Sequence, residues 1–331
     1  MGITLKKTGK ALPDLIVKND DINRFVDTND EWIVARTGIH ERRASTKESA
    51  VDLAVAASKI ALEGENYDDI NLVIVATVTP DKIVPSMGAL VKRELGLDNA
   101  IAFDINTACS GFIYGVWIAE ALINNGNVNN AKTNVIKKAL VIGVERLSRI
   151  IDWTDRGTCI LFGDGAGAAL LESNEEENGI LASFVKNYDD TTNSLTCGME
   201  YLKTPFTDEE RDNPEKQCLS MNGSQVFKFA VNAIGEVMEK TLELAGLTPD
   251  DISYYVPHQA NSRIISSAAK RFKQPIDKFQ ISLGETGNVS AASVPMALYD
   301  IMETGKIKKG DKIMLMGFGG GLSAGAVIFE V

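Results

Sequence analysis

Ala102-Phe103-Asp104-Ile105-Asn106-Thr107-Ala108-Cys109-Ser110-Gly111-Phe112 decides how this chain is read. An apolar, strand-like run ends at Ile105. A turn of small residues follows, and helical spacing of apolar residues begins at Gly111 and continues to about Ile123. The stretch predicts strand, tight turn and helix, with a thiol at the helix start. A helix N-terminus carries partial positive charge and unpaired N–H groups, which favour thiolate over thiol. The same N–H groups can bind an oxyanion beside the nucleophile. Taken alone, a free cysteine reads as well as a small buried hydrophobe, so the rest of the chain has to decide.

Outward from this stretch, one pattern occurs twice. Apolar residues recur at helical spacing over residues 51–62, and Tyr67-Asp68-Asp69-Ile70-Asn71 leads into the apolar run 72–77. Much later a helix-like stretch from about Phe227 to Ala245 leads through Thr248-Pro249-Asp250-Asp251-Ile252-Ser253 into Tyr254-Tyr255-Val256. After each strand come a Pro-containing loop and another helix. Each half then shows a strand starting at a Phe (Phe103, Phe279), a small-residue helix, and a strongly apolar strand (139–143, 313–317). Self-similarity on this scale predicts two pseudo-symmetric βα halves. Continuous apolar strands alternating with helices predict buried sheets in α/β layers. The charged stretch Glu172-Ser173-Asn174-Glu175-Glu176-Glu177-Asn178 places the division at 1–172 and 173–331. Residues 124–138 and 203–216, both polar, read as surface insertions.

Composition narrows the function classes. The chain has 331 residues, 44% hydrophobic and 24% charged, which is an ordinary globular balance with room for two cores. Its net charge of −11 argues against a nucleic-acid binder. Only two histidines occur, His40 and His258, so a multi-histidine metal site is not expected. The four cysteines, Cys109, Cys159, Cys197 and Cys218, form no Cys-x-x-Cys pair; a reducing cytoplasmic setting is expected. No apolar stretch is long enough to span a bilayer, and the first residues carry no apolar leader core.

Two further motifs stand where α/β folds place their sites, at the ends of strands. Val256-Pro257-His258-Gln259-Ala260-Asn261 closes one strand and opens a helix; its histidine alone could be a structural hydrogen-bonding residue. Thr286-Gly287-Asn288-Val289-Ser290-Ala291-Ala292-Ser293 holds an asparagine before a helix, where Asn is commonly a cap. In a pseudo-symmetric fold these positions bring Cys109 of one half against His258 and Asn288 of the other.

These three motifs resemble the Cys-His-Asn set of the β-ketoacyl-[acyl-carrier-protein] synthase III family, the thiolase-superfamily enzymes that initiate bacterial type II fatty acid synthesis. The resemblance runs through the chain, taking in Asp30-Glu31-Trp32-Ile33-Val34-Ala35-Arg36-Thr37-Gly38-Ile39, Asp155-Arg156-Gly157-Thr158, Phe162-Gly163-Asp164-Gly165-Ala166-Gly167-Ala168 and Gly317-Phe318-Gly319-Gly320-Gly321. It implies a thiolase-like five-layered αβαβα fold. It also implies that Cys109 takes an acyl group, with acetyl-CoA the expected donor, and that malonyl-[acyl-carrier-protein] then loses CO2. His258 and Asn288 would stabilise the enolate, which attacks acyl-Cys109 in a Claisen condensation. The N–H groups of Cys109 and Gly320 would form a second oxyanion hole. No carboxylate base and no resident cofactor or metal are expected, because CO2 departure itself creates the carbanion.

By the same resemblance, Trp32 and Arg156 would sandwich the CoA adenine and Arg36 would meet phosphate; planar stacking of this kind is physically sound. Thr28, Gly223, Phe227, Ala260 and Asn261 would line the pantetheine tunnel. Lys228, Arg263, Lys270 and Arg271 form a candidate basic patch for an acidic carrier protein, although Lys270 and Arg271 also suit a helix C-terminus. Val84, before Pro85-Ser86, stands at the primer-pocket position and is smaller than the aromatic of acetyl-restricted members. A homodimer is expected. The glycine-rich Gly163–Ala168 stretch lacks the setting of a dinucleotide loop and reads as a close-packed structural turn.

Relatives are separated by the same residues. Elongating condensing enzymes carry a second His where this chain has Asn288. Degradative thiolases need a second Cys late in the chain, and none follows Cys218. Hydroxymethylglutaryl-CoA synthases need a catalytic Glu; Glu145 and Glu285 exist, but the Asp30-Glu31-Trp32 and Gly287-Asn288-Val289-Ser290 contexts fit the initiating synthase better. The alternatives are a secondary-metabolism condensing enzyme with another primer and a non-catalytic thiolase-fold binding protein.

Overall fold

The computed structural model describes residues 2–125, 135–175, 179–198 and 218–331. The expected insertion at 203–216, and most of that at 124–138, lie outside the described residues.

The chain begins with strand β1 (Gly2–Ala11). The antiparallel pair β2 (Leu15–Lys18) and β3 (Glu41–Ala44) follows, with helices α1 (Asn19–Ile22) and α2 (Asp30–Thr37) between its strands. Next come α3 (Ala50–Ala61), β4 (Leu72–Ala76), α4 (Met87–Leu95), β5 (Ile101–Ile105), α5 (Gly111–Asn125), β6 (Lys138–Arg146), α6 (Arg156–Cys159) and β7 (Asp164–Asn174). The later part holds β8 (Ile180–Asn187), β9 (Leu195–Thr196), β10 (Ser220–Met221), α7 (Gly223–Ala245), β11 (Tyr254–Pro257), α8 (Ser262–Arg271), α9 (Leu283–Thr286), α10 (Ser293–Glu303), β12 (Lys312–Gly319) and β13 (Ser323–Glu330).

Two large sheets result, in the orders β1-β7-β6-β4-β5 and β8-β13-β12-β11. Their pairings correspond. β4 and β6 are parallel, and β6–β7 and β7–β1 are antiparallel; likewise β11 and β12 are parallel, and β12–β13 and β13–β8 are antiparallel. The expected strand at Phe279 is reduced to a single parallel bridge to Tyr255, with the two rings stacked at 4.5 Å. Pro275 and a short 3-10 turn at Ile276–Lys278 leave too little extended chain before it for a ladder.

Apolar burial sorts the helices into layers. α3 and α4 cover the outer face of the first sheet through Leu53, Ala57, Leu90 and Val91. α5 and α10 lie between the sheets, where Phe112, Ile113, Val294 and Leu298 meet Ile74 and Val141 on one side and Leu315 and Val327 on the other. α7 and α8 close the second sheet with Ile234, Val237, Ile264 and Ile265. The five layers αβαβα are the thiolase-like architecture.

Gly163–Ala168 is not a turn. From Asp164 onward it is the start of β7, between β1 and β6. Small residues are needed there because α10 lies directly on the strand: a Cβ on Gly167 would stand 2.6 Å from the Met296 nitrogen. β7 also continues two residues past the expected division at 172/173. β1 pairs with it as far as Asn174, and Lys6 and Lys138 hold Glu172 at 2.9 and 3.3 Å.

Candidate active site

Cys109 is the middle residue of a 3-10 turn, Ala108–Ser110, between β5 and α5. Ala108 sits at φ 45°, in the left-handed region that alanine seldom occupies, and this lifts the thiol out of the strand direction. The hydroxyls of Ser110 and Ser323, 2.8 Å apart, tie the Thr107 carbonyl to the Gly320 carbonyl and so hold the 319–321 loop against the nucleophile turn. Gly319 faces the nucleophile: a Cβ on it would lie 2.7 Å from the Cβ of Cys109.

Cys109 is only 7% exposed, and burial pushes its thiol up to about 12. The thiolate expected from the helix start is therefore not the resting form. Among the described residues no cation offsets the desolvation, which outweighs the helix N-terminus.

His258 follows β11 directly, and its backbone N–H donates to Met316 O at 2.7 Å, extending the β11–β12 ladder. Its ring meets the Phe318 ring edge-on at 5.1 Å and is fully enclosed, so burial pulls its pKa down to about 3. It is a neutral imidazole at any ordinary pH. Gln259 braces this strand end, donating to Pro257 O and Gln280 O and accepting from the Ser282 and Leu283 N–H groups.

Asn288 is held through its backbone by Leu161 O at 2.9 Å and Gly163 N at 3.0 Å. Its Oδ1 accepts from the Ser290 N–H at 2.8 Å. That bond braces the entry to the 3-10 turn Ser290–Ala292 and leaves the amide NH2 as the donor toward the cavity. The turn leads into α10 as the Cys109 turn leads into α5, and Ser290 repeats the left-handed φ of 45°. The two turns touch between the sheets, which brings Cys109 and Asn288 together. Gly143 of β6 allows this, since a Cβ there would stand 2.2 Å from Ala291 O.

A side chain the sequence did not mark for this site also reaches it. Glu145, at the end of β6, is 0% exposed. Its Oε2 accepts from Thr79 Oγ1 at 2.6 Å, and Val78 N–H lies within 3.2 Å of both oxygens. Among the described residues no cation pairs with it, and burial raises its carboxyl to about 7. The Ser290 side chain interacts with both this carboxyl and the Cys109 thiol. The available signal was a lone carboxylate ending the apolar run Val141-Ile142-Gly143-Val144.

Cys109, His258, Asn288, Ser290 and Gly320 line one cavity of about 690 Å³. Arg36, Gly223, Phe227, Ala260 and Asn261 line the same cavity toward its opening. Asn261 also has a structural role, capping α8 through Arg263 N at 2.9 Å and donating to Arg36 O at 3.1 Å. Trp32 stands outside the cavity wall, with the guanidinium groups of Arg36 and Arg156 at 4.5 and 4.8 Å from its ring. Arg156 also donates to Asp27 O at 3.1 Å. Thr28 is half-buried and not part of the wall, and its Oγ1 is enclosed without a hydrogen-bond partner. Val84 is 82% exposed and lines no part of its own chain's cavity.

Among the basic residues, Arg263 and Lys270 border a depression of about 320 Å³ with Phe227 on α7 and α8, and Lys228 is exposed nearby in sequence. Arg271 is engaged elsewhere, paired with Glu239 at 2.9 Å with its guanidinium lying against Gly235 of α7. Among the described residues no group of His, Cys, Asp and Glu could hold a metal ion, and no helix is long and apolar enough to cross a membrane.

Known proteins match this chain over nearly its whole length. Residues 103–189 match the family model described as 3-oxoacyl-[acyl-carrier-protein (ACP)] synthase III, and residues 242–331 match its C-terminal counterpart. The chain is 46% identical to the beta-ketoacyl-[acyl-carrier-protein] synthase III of Clostridium beijerinckii over 99% of both chains. It is 45% identical to that of Clostridium novyi over 99% of this chain and 98% of the relative. The crystal structure of 3-oxoacyl-[acyl-carrier-protein] synthase III from Aquifex aeolicus superposes with a TM-score of 0.90 at 39% identity, covering 100% of both chains. With Cys, His and Asn assembled from two matching halves around one cavity, the chain belongs to the β-ketoacyl-[acyl-carrier-protein] synthase III family.

Proposed function

We propose that Cys109, His258 and Asn288 carry the condensation by which this acyltransferase initiates fatty acid synthesis. The supporting observation is their presence on the wall of one cavity that also reaches Arg36 and Phe227 at its opening. In the first half-reaction Cys109 Sγ attacks the carbonyl of an acyl-CoA, acetyl-CoA in our reading, and CoA leaves. The backbone N–H groups of Cys109 and Gly320 stabilise the oxyanion. Thiol-for-thioester exchange is close to neutral in free energy, which suits a cysteine better than a serine.

In the second half-reaction malonyl-[acyl-carrier-protein] loses CO2. The charge appears on the thioester oxygen, where His258 and the Asn288 amide donate hydrogen bonds. A neutral imidazole is well matched to that oxygen, because it donates without bringing a charge into a buried site. The enolate carbon then attacks acyl-Cys109, the thiolate leaves, and a 3-oxoacyl thioester remains on the carrier. The carbanion arises from decarboxylation, so the reaction as proposed needs no resident cofactor.

Trp32, Arg36 and Arg156 hold the CoA nucleotide, and Thr28, Gly223, Phe227, Ala260 and Asn261 flank the pantetheine arm. The carrier protein docks on Lys228, Arg263 and Lys270, with Arg271 a lesser contact. We further propose a cytoplasmic homodimer in which Val84 reaches the partner's primer pocket.

The test is intact mass after acetyl-CoA and again after malonyl-carrier protein. An acetyl adduct that is lost in Cys109→Ala, and is discharged with CO2 release in the wild type, is the expected outcome. An adduct only with longer or branched acyl-CoA would move the primer and keep the mechanism. No adduct with any acyl-CoA would refute the roles assigned here.

A further inference from the structure

Both half-reactions raise a question of proton placement. Cys109 begins as a neutral thiol and must lose its proton to attack; in the second half it leaves as a thiolate and must regain one. His258 is a poor acceptor, because its burial holds it down to about 3 and no ionic partner offsets that burial. Glu145 is placed differently. It is buried without a cation, and the Ser290 side chain, which interacts with Cys109, interacts with it too.

Its hydrogen bonds are uneven. Oε2 takes the Thr79 hydroxyl at 2.6 Å, the Thr77 hydroxyl at 3.3 Å and the Val78 N–H at 3.1 Å. Oε1 accepts no Thr hydroxyl, only the Val78 N–H at 3.2 Å, which leaves this side of the carboxyl open to the Ser290 side chain and to a proton. The Thr79 hydroxyl accepts from Arg146 N–H at 2.8 Å, so its own hydrogen is directed to Glu145. Purely structural burial of a lone carboxylate would be costly compared with an apolar residue of similar size. Its place beside the nucleophile turn accounts for it.

We propose that Glu145 is a positioning residue that stores the Cys109 proton between the two half-reactions, with the Ser290 hydroxyl as relay. As Sγ bonds to the acyl carbon, the thiol proton passes to Ser290 Oγ while the Ser290 hydrogen passes to Glu145 Oε1. The S–H bond breaks, an O–H bond forms on the carboxyl, and CoA departs as its thiolate. When the condensation expels Cys109 as thiolate, the same shuttle runs backwards, and the resting thiol and carboxylate are restored. The acyl-enzyme thus holds no net buried charge while the malonyl carboxylate enters.

Among the described residues, Cys109 and Glu145 are the titratable groups that act on each other across this contact. The surrounding groups of the 77–79 segment and of the Ser290 turn are uncharged, and Arg146, the next residue in β6, pairs with Asp81 at 3.5 Å. With His258 near 3 and Cys109 near 12, an inflection near pH 7 in the acylation rate belongs to Glu145.

The inference rests on the reading of Cys109 as the acylated nucleophile, and the experiment separates the two. Acyl-Cys109 formation from acetyl-CoA is followed by rapid-quench intact mass from pH 5.5 to 8.5 in wild type, Glu145→Gln, Glu145→Asp and Ser290→Ala. The wild-type rate should rise with pH through an inflection near 7. Glu145→Gln should be tenfold or more slower at pH 8 with the inflection gone, and KM for acetyl-CoA should stay within twofold. Glu145→Asp should recover part of the rate and an inflection. Ser290→Ala, which leaves the carboxyl in place, should lose the inflection as well, and it carries the test alone if Glu145→Gln does not fold. A wild-type adduct whose inflection persists in either folded variant overturns the proton store and leaves the functional reading standing. A wild type that forms no adduct overturns both.

Discussion

At the residue scale, the site is governed by what burial does to three ionisable side chains. Desolvation favours the neutral form in each, so the resting centre holds a thiol at Cys109 and an uncharged imidazole at His258, with Glu145 balanced near neutrality. Glu145 also makes folding stability depend on pH. Its carboxyl is raised from 4.5 to about 7, worth about 3 kcal/mol at the usual conversion. A raised folded-state pKa means the folded chain binds the proton more tightly. This contribution is therefore complete below about pH 4.5 and is lost as pH rises through 7. We expect the Tm of wild type to fall relative to Glu145→Gln between pH 5 and 7.5, by on the order of 5 °C, in parallel calorimetric scans. Equal slopes for the two proteins would contradict it. His258 acts in the opposite direction, its contribution present above 6.5 and lost as pH falls toward 3. A Glu145 role in proton placement was not legible from the sequence, because its pKa is raised by burial in the packed fold, and the threonines that bond it lie more than sixty positions away in the chain.

At the element scale, the site depends on two equivalent turn–helix units meeting between the sheets, and glycines set how near they come. Gly143→Ala would drive a methyl into Ala291 O, which a Cβ there would meet at 2.2 Å. The obstacle is backbone, so the Ser290–Ala292 turn must move. A destabilisation of about 2–3 kcal/mol by denaturant titration is expected, together with a loss of acylation rate. Gly319→Ala acts on the other side, where its Cβ would lie 2.7 Å from that of Cys109. There the acylation rate should fall by at least tenfold with a smaller change in stability, since the loop ends near the surface. The helices α5 and α7 and the apolar strands could be read from periodicity. The Gly163–Ala168 stretch could not, because a glycine-rich strand under a helix and a glycine-rich turn look alike until the covering helix is known. The strand at Phe279 failed in the opposite sense: its local pattern was suitable, but only one residue pairs with β11.

At the scale of the whole molecule, an acidic enzyme has to receive a carrier protein that we take to be acidic, so docking depends on a local basic surface rather than on net charge. Arg263 and Lys270 beside Phe227 provide a candidate surface, whereas Arg271 is committed to Glu239. Arg263→Glu should raise the carrier-protein KM severalfold, increasingly so at low salt, with acetyl-CoA exchange nearly unchanged. Arg271→Glu should change that KM less and cost stability instead, up to about 1 kcal/mol. Equal effects on KM from both variants would refute the distinction. Steady-state kinetics with purified carrier protein, set beside thermal melts, decide it.

The layered α/β class and the twofold repeat were legible in the chain as written, because each is carried by local pattern: apolar periodicity and a repeated order of elements; the motifs of Cys109, His258 and Asn288 stood out at strand ends, and the family resemblance joined them into one set. The charge state of those groups came from the packed fold alone. Desolvation depends on every residue packed around a site, and no segment contains that information. The same holds for the Glu145–Ser290–Cys109 contact, which joins three stretches of chain through two 3-10 turns that each open on a residue at φ 45°. It holds again for Arg271, whose partner lies on another helix.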